Sequence, residues 1–410
     1  MVDQMNERFF TEVPKEELQR IAVTGTHLHS WQGENNKDIL RVFQEQGSVQ
    51  LDPLNPAGRN HDLFFASRIN EYKIHEFQKI VYPQKEVFES YFPNLMAISK
   101  EHFPIFHPQM KEEYLHKYYQ ARINKMEESM SDFLEQAISF LETNGPSKAA
   151  DLKEMAKIKP DIPFWKTSNL AGMSLELLWL LGKAVIYERD EHWKKSYGLV
   201  EGYFDDSLLK SNNFSDEEIY YRKFLIKQKS YPIINLGRVT HSAKKGLTFG
   251  KRKGLSPKWF ERSDDQNKPE ILKTEEKEIY CAVPANWRDL LKKNLDKEMR
   301  AIAPLDPLIW DRDLTLKVFD FEYVWEVYKI PKDRKWGYYV FPLLYRGKFF
   351  GRVEANFNKK EKILHLFNLQ LEDNKEFDNE AEKAFSGLVT RWSNMLSATK
   401  TTTDKTIKFL

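Results

Sequence analysis

SDFLEQAISFLETN (131–144), KAADLKEMA (148–156), SLELLWLL (174–181), KAVIYER (183–189) and WKKSYGL (193–199) follow one another in the middle of the chain, and their order decides the fold. The first three carry apolar residues at helical spacing; the first stops at Gly145-Pro146 and the third at Gly182, residue types that end helices. The last two are short strand-like runs joined by Asp190-Glu191-His192, which reads as a hairpin. Three helices and then a hairpin is the order of a winged helix, whose third helix and hairpin commonly face DNA. Many such modules bind proteins instead, so the order alone leaves the partner open.

Upstream, DILRVFQEQ (38–46) places Ile39, Leu40 and Phe43 at helical spacing, and Gly47 stands where a helix turns left-handed and stops. Ser48 to Asp52 then alternates. As an extended segment it sends Val49 and Leu51 into the core and leaves Gln50 and Asp52 on the other face. Pro53 and Pro56 delay the next helix, expected near Asn60 with Leu63, Phe64, Ser67 and Arg68.

Downstream, a capped helix opens at Ser215, and the stretch from Tyr221 to Phe260 holds eleven Lys and Arg residues and no acidic one. Tyr221, Phe224, Tyr231, Phe249 and Trp259 lie among the charges. Such a stretch suits a nucleic acid better than a membrane, because no amphipathic helical period accompanies it. A solvated, loop-rich face is the competing reading. The last part alternates like strands over 322–328, 336–345 and 349–356, with turns at 346–348 and 358–362, and predicts a small antiparallel sheet or barrel followed by a helix over 376–398.

Composition narrows the class. The 410 residues carry 63 Lys and Arg against 61 Asp and Glu, with 41% hydrophobic residues, so packed domains are expected and disorder is not. No apolar run approaches the roughly 18–20 residues that cross a bilayer, and the opening residues lack the basic flank and apolar stretch of a secretory signal. A cytoplasmic, nucleoid-associated protein without membrane contact is expected. A single cysteine, Cys281, excludes an internal disulfide and a multi-thiolate metal site. His27 and His29 lack a nearby carboxylate or cysteine in sequence to complete a ligand set, so no metal and no cofactor are expected. Nucleophile elbows, Walker loops and dinucleotide fingerprints are absent.

Two further stretches carry a family resemblance. Val49-Gln50-Leu51-Asp52-Pro53-Leu54-Asn55 with Arg59-Asn60-His61 resembles the N-terminal signature of the YcaQ/AlkZ winged-helix DNA glycosylases. Ala303-Pro304-Leu305-Asp306-Pro307-Leu308-Ile309-Trp310-Asp311-Arg312, then Trp336-Gly337-Tyr338-Tyr339-Val340 and Gly351-Arg352-Val353, is similar to their C-terminal signature, and the region of Trp179, Gly182 and Arg189 also fits. The Gln-x-Asp form at Gln50 and Asp52 points to the YcaQ-like branch. One departure stands out: many relatives carry Glu-x-x-x-His shortly after this region, whereas Glu89-Ser90-Tyr91-Phe92-Pro93 has proline in the histidine position.

The resemblance implies an α+β fold with tandem winged-helix domains followed by a small antiparallel β-barrel. The expected division is an N-terminal winged-helix-type domain over 1–130, a second winged helix over 131–210, a third, basic one over 211–300 and a barrel with its helix over 301–410. It implies a monofunctional DNA N-glycosylase, expected to be a monomer, acting on N7-alkylated purines in double-stranded DNA and on interstrand crosslinks. The alternative from another class is a winged-helix regulator that binds DNA without catalysis.

An N7-alkylated purine is cationic and leaves as a neutral base, so the reaction needs no strong general acid. It needs a carboxylate for the oxocarbenium-like sugar and a placed water. The resemblance assigns these roles to Asp52 and Gln50. Spacing alone reads Asp52 as a turn cap before Pro53 and Gln50 as bonded to backbone. Arg59, Asn60 and His61 are candidate contacts to phosphate or lesion, with a capping role for Asn60 the competing reading. Lys244, Lys245, Lys251, Arg252 and Lys253 are the candidate phosphate contacts of the basic stretch. Arg312 either contacts DNA or pairs with Asp306 or Asp311 to brace the barrel.

Overall fold

The structure, a computed structural model, describes residues 9–110, 131–158, 169–210, 214–236, 248–249, 252–253, 255–262, 265–274, 279–373 and 375–407. The chain divides into two compact units, one of Met1–Phe77, Phe224–Leu247 and Gly254–Leu410, the other of Gln78–Lys223 and Thr248–Lys253.

The second unit contains the helix–helix–helix–hairpin order expected from its sequence. Helices Ser131–Asn144, Lys153–Lys157 and Leu170–Leu180 precede antiparallel strands Ala184–Arg189 and Lys195–Leu199. Asn169 caps the third helix, its Oδ1 accepting from the Gly172 N–H at 2.9 Å. Leu170, Ala171, Met173, Ser174, Leu175, Leu177, Leu178 and Trp179 of that helix are all buried, as a helix that is apolar on most sides must be. A second antiparallel hairpin, Val87–Tyr91 with Leu95–Ser99, sits beside an aromatic cluster in which Phe88 meets Phe103 edge-on and Phe103 stacks on Phe204 at 4.0 Å.

The first unit is built on two sheets. One has four strands in the order Phe10–Glu12, Glu270–Thr274, Ile279–Val283, Ile234–Asn235, the first pair parallel. Helix Lys15–Gly25 packs Leu18 and Ile21 with Leu272, Cys281, Val283 and Trp287 in one core cluster. The other has five strands in the order Met299–Ala301, Val340–Tyr345, Lys348–Asn358, Ile363–Leu371, Lys400–Thr403. Helix Asn379–Leu396 covers it, with the Trp392 ring edge-on to Phe341 at 4.7 Å.

Two expectations for this region are corrected. The sheet is not an all-antiparallel closed barrel: its outer strands are not paired with each other among the described residues, and Lys400–Thr403 runs parallel to Ile363–Leu371. The intervening helix is the reason, because a strand that re-enters a sheet after a helical crossover points the same way as the strand it left. Nor is 322–328 a strand. Phe321 and Tyr323 do point inward, but the extended segment is fixed by a side chain, Glu326, whose carboxylate accepts the backbone N–H groups of Lys335 and Trp336 at 3.0 and 2.8 Å. Alternation reports extended backbone; a strand also needs a ladder partner.

Candidate active site

The Gln-x-Asp segment starts where helix Ile39–Gln46 stops. Gly47 adopts φ 72°, and its N–H returns to the Phe43 carbonyl at 2.9 Å. The chain reverses into strand Ser48–Gln50, with Val49 and Leu51 1% and 3% exposed. Gln50 is buried, and its backbone carbonyl accepts the Asn60 side-chain amide at 2.9 Å. Asn60 is the first residue of helix Asn60–Ala66, whose cap position belongs to Arg59 and has no side-chain cap. Asn60 therefore does not cap its helix; it ties the helix start to the strand that carries Gln50.

Asp52 is half-exposed. Its Oδ1 accepts the Leu54 N–H at 2.9 Å, the turn contact that the Asp-Pro spacing suggested. Its other oxygen takes no hydrogen bond among the described residues. Burial raises the Asp52 pKa above its ordinary 3.8, and the Leu54 N–H opposes that rise. No cation is among the causes, so this carboxylate is not neutralised by an ion pair.

The loop after Asp52 is held from both sides. The Pro56 carbonyl accepts the Phe357 N–H at 2.6 Å, and the Ala57 carbonyl accepts the Trp392 indole N–H at 2.9 Å. Asn55 Oδ1 accepts the Gly58 N–H at 3.2 Å. Gly58 has φ 120°, and a β-carbon there would lie 3.1–3.2 Å from Leu63 and Met395, so only glycine fits without strain. Pro56 also lines an open cleft of about 500 Å³ with Trp336, Tyr338, Tyr339, Asn356 and Asn368. Burial, then the Asp52 charge, keeps the Tyr339 phenol protonated far above its ordinary range, which places that ring in the electrostatic reach of Asp52.

The remaining sequence candidates fall in different settings. His61 and Arg59 are buried with Asn60. Lys244, Lys245 and Lys251 lie outside the described residues; Arg252 and Lys253 form one strand of a two-stranded ribbon with Thr248–Phe249. Arg312 is half-buried and has no ion pair with Asp306 or Asp311 among the described residues. Asp311 instead caps helix Arg312–Phe319 through the Leu314 N–H at 3.1 Å. Asp306 pairs with Arg68, Nη1 to Oδ2 at 2.8 Å and Nη2 to Oδ1 at 3.2 Å, both side chains fully buried. That pair joins the residue just beyond helix Asn60–Ala66 to the C-terminal signature stretch, and no local pattern announces it.

Glu89 also has a structural explanation. It is buried, and its two oxygens accept Nε and Nη2 of Arg189, each at 2.6 Å, with the Tyr82 hydroxyl on Oε1 at 2.6 Å. His27 lies 3.5 Å from Glu45. Burial pushes the His27 pKa down to about 3 and that of His29 to about 4, so both are neutral at pH 7. Among the described residues no group of three or more His, Cys, Asp or Glu is arranged to hold a metal ion, and no helix is long and apolar enough to cross a membrane.

With this geometry in hand, comparison with known proteins is decisive for the family. The model of the family described as "DNA glycosylase AlkZ-like" matches residues 44–227 and 246–392. The fold is similar to that of the Streptomyces sahachiroi DNA glycosylase AlkZ, with a TM-score of 0.61 at 11% identity over 96% of this chain and 100% of that one. The matched residues include the Gln50–Asp52 segment and the Asp306–Arg312 stretch, and the reading as a non-catalytic regulator gives way to an enzyme that acts on DNA. The chain belongs to the AlkZ-like family of DNA N-glycosylases.

Proposed function

We propose that this enzyme hydrolyses the N-glycosidic bond of N7-alkylated purines in duplex DNA and unhooks interstrand crosslinks, with Asp52 and Gln50 as its catalytic pair. The observation that carries the reading is Asp52: a half-exposed carboxylate with one oxygen fixed in a turn, the other uncommitted, and no cation to neutralise it. A carboxylate about 4 Å from an oxocarbenium-like sugar contributes on the order of 4 kcal/mol at an effective dielectric near 20, roughly a thousandfold in rate. Asp52 stabilises that charge and activates water; Gln50, positioned through Asn60, holds the water or the sugar. The cationic base departs neutral, so no general acid is required. Because a purine tied to the opposite strand is not free to swing out of the stack, a half-exposed carboxylate suits a bulky adduct better than a closed pocket does.

The reading extends to the surroundings. The helices and hairpin of 131–210 form a winged helix in a tandem series with 1–130 and 211–300, and the basic residues Lys244, Lys245, Lys251, Arg252 and Lys253 run along phosphates. Of the candidate contacts near the reacting nucleotide, the half-buried Arg312 is the one left to reach DNA; His61 and Asn60 are 0% and 1% exposed and support the strand and helix around Gln50 from within, with Arg59 buried beside them. The enzyme works as a monomer on nucleoid DNA in the cytoplasm.

The test is single-turnover excision from duplexes bearing N7-methylguanine, a nitrogen-mustard crosslink or uracil, scored as abasic sites by alkaline cleavage. Asp52→Asn keeps shape and removes charge, so excision of the first two falls by about a thousandfold while duplex affinity changes little. Uracil, whose leaving group needs an acid, stays intact. Near-parental excision by folded Asp52→Asn overturns the catalytic assignment, and efficient uracil release overturns the substrate class.

A further inference from the structure

Residues 326–339 form a loop that is closed at its neck and ordered by two buried carboxylates. Glu326 accepts the backbone N–H groups of Lys335, Trp336 and Gly337 at 3.0, 2.8 and 3.3 Å, with the Lys329 ammonium on the same carboxylate at 2.9 Å. The side chain is shielded from solvent but lies shallow, and although burial favours the neutral acid, Lys329 and these three N–H groups hold its pKa at about 2. Glu354 accepts the N–H groups of Tyr338 and Tyr339 at 2.6 and 3.2 Å and the Asn368 amide at 3.1 Å. Gly337 sits between the clamps at φ 143°, where a β-carbon would fall 2.2 Å from the Glu354 carboxyl carbon.

A loop so firmly held would be expected to cover apolar surface, yet this one displays it. Of the six strongly exposed large apolar side chains among the described residues, three lie here: Tyr328 at 84%, Ile330 at 54% and Tyr338 at 42%. Single exposed apolar residues are ordinary; three within eleven residues on a preorganised loop are not. Cations flank them. Lys332 and Arg334 have no ion pair among the described residues, and the Arg334 guanidinium lies 4.8 Å from the centre of the Tyr338 ring. Pro331, Arg334 and Tyr338 line the same cleft as Pro56, on the loop that follows Asp52.

We propose that this loop is a duplex wedge: Tyr328 and Ile330 insert at the base step beside the lesion, and Lys332 and Arg334 hold the adjoining phosphates. The occupant is duplex DNA because exposed apolar side chains flanked by cations match a polyanion with stackable bases, and because the loop borders the cleft shared with the Asp52 loop. Its rigidity means that little ordering entropy is lost on binding. The proposal rests on DNA as the substrate and not on the catalytic roles of Asp52 and Gln50.

Two variants of the full chain test it, each checked by thermal melting, and neither alters Glu326, Glu354 or Gly337. Tyr328→Ser with Ile330→Ser weakens binding to an N7-methylguanine duplex by about tenfold, the worth of about one stacked base, with the salt slope unchanged. It also abolishes the fluorescence rise of a 2-aminopurine placed next to the lesion, which reports unstacking. Lys332→Gln with Arg334→Gln lowers the salt slope by about 0.9 for each phosphate released. Unchanged affinity and fluorescence in the first variant overturn the wedge. So does a parent that sediments as a dimer and a Tyr328→Ser/Ile330→Ser variant that sediments as a monomer, since the tip would then be a subunit interface. Failure of the Asp52→Asn excision test leaves these binding readouts standing, so the two readings fail separately.

Discussion

The Arg68–Asp306 pair offers the sharpest test of how this fold is held. Arg68 donates to both Asp306 oxygens, to the Phe64 and Thr26 carbonyls at 3.0 and 2.9 Å and to the Ser67 hydroxyl at 2.9 Å, while its guanidinium lies 3.7 Å from the Phe64 ring centre. Asp306 Oδ1 also accepts the Leu308 N–H at 3.0 Å. In Asp306→Asn one of the two sites must become an NH₂ facing a donor: turned one way it meets Arg68 Nη1, turned the other it meets Leu308 N–H and Nη2. The charge of Arg68 is left buried without a counter-ion, which costs about 3–5 kcal/mol. That is at least about a fifth of the roughly 5–15 kcal/mol by which an ordinary domain is stable. At roughly 2–4 °C per kcal/mol for a unit of this size, the melting temperature falls by about 6–20 °C. Urea unfolding of the intact chain by circular dichroism measures the loss. Arg68→Met with Asp306→Leu removes both charges, so it should recover much of the stability, though the Thr26 carbonyl loses its donor. A loss below about 1 kcal/mol for Asp306→Asn, or a double variant as unstable as the two single losses added together, would falsify the claim that an orphaned charge sets the cost.

Three other outcomes follow from the same reasoning. Because Asp52 binds its proton more tightly folded than unfolded, its ionisation opposes folding: stability falls as pH rises through the window from 3.8 to its raised pKa and stays lower above it. Asp52→Asn should therefore melt higher than the parent at pH 7, and the acid limb of the parent's excision profile should lie above 3.8; a lower melting temperature contradicts this. For Glu89 the sign reverses: burial favours the acid, but Arg189 overrides it and lowers the pKa, so the pair's contribution is present above 4.5 and lost as pH falls through the lowered value. Glu89→Gln should cost about 3 kcal/mol at pH 7 and flatten the acid side of the stability curve; an unaltered curve counts against a structural role. Replacing Lys251, Arg252 and Lys253 by glutamine should weaken duplex binding alike for all sequences and lower the salt slope by roughly 0.9 for every phosphate no longer neutralised; an unchanged slope means the stretch is only solvated.

What was legible in the sequence was local. The stop at Gly47, the short strand after it and the helix after Arg59 all follow from spacing and chain geometry, and the structure shows them, although Ser48, Val49 and Gln50 are all buried and the expected alternation is seen only as Asp52 becomes half-exposed. The helix and hairpin order of 131–199 was readable for the same reason. What was not legible depends on partners far away. Arg68 and Asp306 are 238 positions apart, and nothing beside either residue names the other. The segment 322–328 alternates like a strand, but it is tied to the chain beside it by the Glu326 side chain, which accepts the N–H groups of Lys335, Trp336 and Gly337, and periodicity does not distinguish a ladder from a clamp. The parallel strand Lys400–Thr403 has too few apolar residues to register as a strand at all. In the candidate site, the position of Asp52 was readable, whereas the anchoring of the loop that follows it, by Phe357 and Trp392, was not.

That last attachment sets an order of events during synthesis. The Asp52 loop hangs from the Phe357 N–H and the Trp392 indole, so a nascent chain that has already made its Gln-x-Asp segment still lacks both hooks until more than three hundred further residues have been translated. A ribosome-bound or prematurely terminated fragment ending before Trp392 carries the carboxylate but not the scaffold that aims it. On the role proposed for Asp52, a chain that stops before Trp392 should therefore lack excision activity although its Gln-x-Asp segment is complete.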